Sequence, residues 1–191
     1  CKVSNQGTLW VMNLEDLTHV LVMANDHVVT EGWLDSMLTS PYDCTNPFVF
    51  YSSKAFRLMD TRIGPMIEQY KKLRLKYLQE DDYSNMVHVL DTMYPEGLNS
   101  FSKEFTNKIK SSVYKPSTFI LWPGLIMYKK EVINTVGFKD EDFLKFDLAS
   151  YADIDYYVRV YLAGFTSGVV LSSYVHHWGS ITTRKTGLKQ E

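Results

Sequence analysis

Cysteine is scarce in this chain. Cys1 and Cys44 are its only two cysteines and they form no Cys-x-x-Cys pair, so neither a disulfide framework nor a cysteine-built zinc site is available. So few cysteines fit a reducing compartment, and the chain is expected to be cytoplasmic. Long apolar runs are missing too. The longest, Val20–Ala24 and Thr118–Met127, fall well short of the roughly 20 residues that span a bilayer, so no transmembrane segment is expected. No secretory leader is visible. Charge of one sign is not in excess: the net charge is −2, which argues against a surface that coats nucleic acid. Repeats and low-complexity tracts are absent. The sequence opens on Cys1 rather than Met, as expected of a piece of a longer protein.

What is present is ordinary globular composition. Of 191 residues, 45% are apolar and 22% charged, enough to bury a core without staples and consistent with one domain. The apolar run Thr18–Ala24 stops at Asn25-Asp26-His27 and predicts a strand buried on both faces, as in a parallel or mixed sheet. Thr30 is placed to cap a helix through Asp35–Leu38. Phe48–Tyr51 centres a second strand. From about residue 60 to 115 the pattern turns helical. Ile63, Met66, Ile67, Tyr70, Leu73 and Tyr77 recur at spacings of three and four. A second helix around Met86–Met93 ends at Pro95-Glu96-Gly97, and Phe101, Phe105 and Ile109 mark a third. This stretch reads as a helical insertion. Strand signals return at Phe119–Trp122, Leu125–Tyr128 and Gly168–Leu171, with helices over Lys130–Val136, stopped by Gly137, and Asp153–Leu162, closed by Gly164. The fold class is α/β: a mixed sheet flanked by helices, with a helical insertion.

Three places offer chemistry, each with a bland alternative. Asp26 ends a buried strand, where ligands collect in open α/β sheets. It is either a turn carboxylate or a ligand for a divalent cation carrying a diphosphate. Asp153 and Asp155 open a helix, where carboxylates are favoured by the dipole. Asp155 can pair with Arg159 one turn on, which leaves Asp153 as the freer general base. His176 and His177 follow a strand. Neighbours on extended chain face opposite ways, so only one of them can enter a site. The basic residues Lys71, Lys72, Arg74 and Lys76 form either a solvated helix face or a docking face for a partner or anionic membrane.

Four segments in order resemble the family 2 glycosyltransferases. Val3–Gly7 followed by His19–Leu34 (HVLVMANDHVVTEGWL) is similar to the stretch with the acidic metal motif. Gly124–Gly137 (GLIMYKKEVINTVG) followed by Phe138–Phe143 resembles the family's glycine- and phenylalanine-rich segment. Ala152–Phe165 (ADIDYYVRVYLAGF) resembles its acidic helix. Tyr174–Ser180 resembles its histidine-containing end. The resemblance covers residues 3–38 and 117–182. It implies a GT-A fold and inverting transfer from a nucleotide sugar (UDP-, GDP- or dTDP-linked) to a hydroxyl on a glycan or glycoprotein acceptor. It implies Asp153 as base and Asp26 with His176, or less favourably His177, as ligands for Mn2+ or Mg2+. Asn5, Asn25 and Asp26 would face the donor. Trp122, Gly124, Asp155 and Trp178 would face the acceptor. Two departures stand out: Ala24 occupies the first acidic position of the metal triplet, and Ala152 replaces the Glu before the base. The family's first βαβ portion, which holds the nucleotide base, is not found before the motif strand. These departures support an alternative, a non-catalytic carbohydrate- or nucleotide-binding module derived from such an enzyme.

Overall fold

The computed structural model describes residues 2–50, 63–79, 86–109, 114–116, 124–140 and 149–178. The chain runs α1 (Lys2–Val11), β1 (His19–Met23), β2 (His27–Val29), α2 (Trp33–Leu38), β3 (Cys44–Phe50), α3 (Ile63–Gln79), α4 (Met86–Met93), α5 (Leu98–Lys108), β4 (Tyr114–Pro116), β5 (Leu125–Lys129), α6 (Lys130–Val136), α7 (Ala149–Leu162) and β6 (Ser167–His177). The expected mixed sheet with flanking helices is present. Its order is β1-β5-β3-β6-β2, with β4 paired to β6. β3 and β6 are parallel, and the other ladders are antiparallel. The strand expected at Phe119–Trp122 and the site residue Trp122 lie outside the described residues.

β6 is the spine of the sheet. β3 lies along one side of it, while β4 and then β2 share the other. The β3–β6 register slips between Pro47 and Phe48, where Val170 gives way to Tyr174 as partner. Proline has no N–H to donate to the ladder, so a slip there leaves no donor behind. Gly168 is required for another reason: a Cβ on it would lie 2.0 Å from the Tyr42 ring.

Two apolar clusters hold the layers together. One joins β3 and β6 (Phe48, Leu171, Tyr174) to the three helices of the 63–109 stretch through Ile67, Tyr70, Val89, Met93, Phe101 and Phe105. Phe48 and Phe105 stack with centroids 4.6 Å apart. The spacing of Met66, Ile67, Tyr70 and Leu73 thus turns one face of α3 into this cluster, as the pattern predicts. The other cluster packs α6 and α7 (Val132, Ile133, Tyr156, Tyr157, Val160) against Val20, Ile126 and Tyr128 of β1 and β5.

Local details differ from the sequence expectations in three places. β1 is not buried on both faces: it is an edge strand, with Val20 buried and Leu21 and Met23 exposed. Thr30 caps no helix. The residue before α2 is Gly32 at φ 73°, while the Thr30 hydroxyl is buried and donates to the Tyr174 carbonyl at 2.7 Å. α7 begins at Ala149 rather than Asp153. Asp153 therefore sits in the second turn, beyond the reach of first-turn capping. The expected glycine stops are present: Gly137 and Gly164 have φ of 78° and 85°, a conformation glycine adopts without penalty. Among the described residues no helix is long and apolar enough to cross a membrane.

Candidate functional site

The site forms where β1, β2 and β6 end or begin. Met23 pairs with Leu125 at the end of β1. The Ala24 N–H then donates to the Gly124 carbonyl at 2.7 Å, and two residues later the Asp26 carbonyl accepts from Trp178 N–H at 2.9 Å. The short turn is thus pinned by backbone bonds at both ends. β2 leaves it antiparallel to β6, with His27 directly opposite His177. Cross-strand partners project on the same face at close range, so this register brings two imidazoles together beside Asp26.

The resulting cluster is compact. Asp26 Oδ2 lies 3.1 Å from His177 Nε2, and Asp26 Oδ1 lies 3.6 Å from His27 Nδ1. The two rings stack at 4.7 Å and 17°. One ligand atom from each of Asp26, His27 and His177 falls within 4.8 Å of the others. The His27 side chain has no exposed surface, while Asp26 keeps 19% of its own. His27 Nδ1 also stands 2.9 Å from the Ala24 carbonyl. Burial lowers the His27 pKa, against the opposing pull of the Ala24 carbonyl and the Asp26 charge, so the ring favours the neutral form that binds metal.

His176 faces the other way, as alternation on a strand demands. The sequence favoured it as the metal ligand, but the structure turns it into the core. It is fully buried, its Nδ1 lies 3.0 Å from Tyr94 Oη, and the rings of Tyr70, Tyr94 and Trp178 meet it edge-on. Burial first, then the nearby His177 and His27, push its pKa down to about 3. His177, not His176, lies beside Asp26, and His27 stacks on it. Sequence reasoning missed His27 because its place beside His177 comes from a register between distant strands; the only local signal was its position after Asp26.

Of the remaining sequence-predicted residues, Asn5, Asp153 and Asp155 lie apart from this turn, while Asn25, Gly124 and Trp178 belong to it or bond it. Asn5 and Asp153 meet through Lys139. The Asn5 side chain exchanges hydrogen bonds with the Lys139 backbone, donating at 2.7 Å and accepting at 3.2 Å. Lys139 Nζ forms an ion pair with Asp153 that is largely shielded from water. A shallow cleft beside them is lined by Asn5, Thr8, Val22, Gly137, Phe138 and Lys139. Asp155 pairs with Arg159 at 2.9 Å as the spacing predicts, and Arg159 also donates to the Val136 and Phe138 carbonyls. Asn25 is exposed on the pinned turn. Gly124 contributes its carbonyl to that turn, and the Trp178 carbonyl accepts from the Tyr70 hydroxyl. Comparison with known protein families, curated proteins and solved structures finds no match to this chain.

Proposed function

We propose that this chain is the catalytic part of an inverting, metal-assisted glycosyltransferase of GT-A type. The observation that carries the proposal is the Asp26 carboxylate held against His177 at the end of an apolar strand. In this reading Asp26 and His177 hold Mn2+ or Mg2+. The ion would neutralise the diphosphate of a UDP-, GDP- or dTDP-sugar as it leaves. Asn5 and Asn25 face the donor; Trp122, Gly124, Asp155 and Trp178 face a glycan or glycoprotein acceptor. Asp153 accepts the proton of the attacking hydroxyl once Lys139 releases it. A cytoplasmic setting belongs to the same proposal.

Calorimetric titration with UDP, GDP and dTDP, each with and without Mn2+, tests it. The expected result is metal-dependent binding of at least one nucleotide, lost in Asp26→Ala. Absence of binding to all three would refute it. A second reading, a binding module without turnover, is favoured by the Lys139–Asp153 ion pair, which occupies the carboxylate a base must offer. The two readings separate on Asp153→Asn: the enzyme loses transfer by roughly 10²–10⁴-fold with nucleotide affinity kept, whereas the module transfers nothing in either form.

A further inference from the structure

We infer that His27 is a third protein ligand, so that Asp26, His27 and His177 form a two-imidazole, one-carboxylate site that loads a transition metal on its own. The inference rests on the metal-holding half of the proposed function and is independent of sugar transfer. A carboxylate site of low ligand count borrows most of its coordination from the nucleotide diphosphate and suits Mg2+, which keeps its waters and takes oxygen donors. Two nitrogen donors change that balance. Imidazole suits later transition metals such as Zn2+ far better than it suits Mg2+.

The surroundings of His27 support a ligand role. Metal-bound histidines commonly hold their second ring N–H against a backbone carbonyl, which fixes the tautomer and the ring plane. The Ala24 carbonyl, 2.9 Å from His27 Nδ1, is placed to do this, which leaves Nε2 as the ligand atom of His27. That carbonyl belongs to the turn locked by the Ala24–Gly124 and Trp178–Asp26 backbone bonds. The carboxylate is already within 3.1 Å of the second imidazole, close to the spacing of two donors on one ion. Nitrogen lone pairs lie in the ring plane, so the two stacked rings cannot share an ion as they stand. Loading therefore requires one of them to turn, and His177, whose side chain keeps 12% of its surface exposed against none for His27, is the less enclosed.

The test uses the full chain, metal-free and without nucleotide. Co2+ is added and its visible ligand-field absorption followed, then Zn2+ or Mg2+ is added in competition. The expected result is saturable one-to-one Co2+ binding, displaced by Zn2+ and unaffected by a roughly hundredfold excess of Mg2+. His27→Gln is expected to weaken Co2+ by about tenfold or more. Because His27 is buried, His177→Asn, at a more exposed position, serves as the second variant and is expected to do the same. Mg2+ competing on equal terms, or both variants binding Co2+ like the parent, would overturn the inference. Failure of nucleotide binding in the preceding titration leaves it standing, since no nucleotide enters this test.

Discussion

Two adjacent histidines are expected to fail in opposite ways when removed. His176 is fully buried. It sits in a ring of aromatic edges with centroids at 5.0 Å (Trp178), 5.2 Å (Tyr70) and 5.7 Å (Tyr94). Truncating it to Ala opens a cavity in that ring, which for a buried ring of this size costs about 3 kcal/mol. The lost hydrogen bond to Tyr94 adds about 1 kcal/mol. Tyr94 Oη keeps the Tyr174 hydroxyl at 2.9 Å, so no orphaned polar group adds to the sum. The total, about 4 kcal/mol, corresponds to a melting temperature lower by roughly 10 °C for a chain of this length. His177→Ala removes a largely shielded contact with Asp26 and one stacked ring, worth about 1 kcal/mol. Urea unfolding of both variants, followed by tryptophan fluorescence, reads the difference directly. Equal costs, or a larger cost at position 177, would refute the assignment of His176 to the core.

Cys44 is buried and its thiol is pushed up to about 12, chiefly by burial and then by the Asp43 charge; it should resist a thiol-specific disulfide reagent in the folded chain and react at once in denaturant. Burial works to raise the Asp43 carboxyl, but hydrogen bonds from Thr166 and Lys129 outweigh it and hold the pKa below its usual value. That contribution is complete above the unfolded value near 4 and is lost as pH falls through the lower folded value, so Asp43→Asn should flatten the acid limb of the stability curve measured by urea unfolding. Gly168→Ala drives a Cβ into the Tyr42 ring and should cost about 1–3 kcal/mol; adding Tyr42→Ala should recover part of that loss in a double-mutant cycle.

Much of the architecture is legible in local pattern. The apolar run of β5 identifies a strand buried on both faces, and the run of β1 marks a strand although it lies at the sheet edge. The spacing along α3, α4 and α5 identifies helices because burial of one face imposes its period on the sequence. The start of α7 was not legible, since Ala149-Ser150-Tyr151 carries no such period. The true length of β6 was hidden by Ser172 and Ser173, polar residues inside a strand whose ladder slips there. At the site, Asp26 and the histidine pair could be singled out from the sequence alone. Which histidine turns inward depends on strand parity counted from the register of β2 on β6. The Lys139–Asp153 pair is likewise a product of packing between separate elements.

The passage from β1 to β2 has a further consequence. These strands lie on opposite margins of the sheet order, yet only Ala24, Asn25 and Asp26 separate them. Four steps along extended chain reach roughly 14 Å, whereas four flat strand spacings amount to about 19 Å. The β1–β5 ribbon must therefore curl out of the plane of β3 and β6. The β3–β5 ladder, just Cys44–Tyr128 and Thr45–Met127, gives it the freedom to do so. Asp26 is in effect the taut end of a strap drawn across the opening. Side-chain changes at the exposed Ala24 and Asn25 leave the strap's length alone; adding or deleting one residue between Met23 and His27 would slacken or overdraw it and carry the carboxylate out of register with His177.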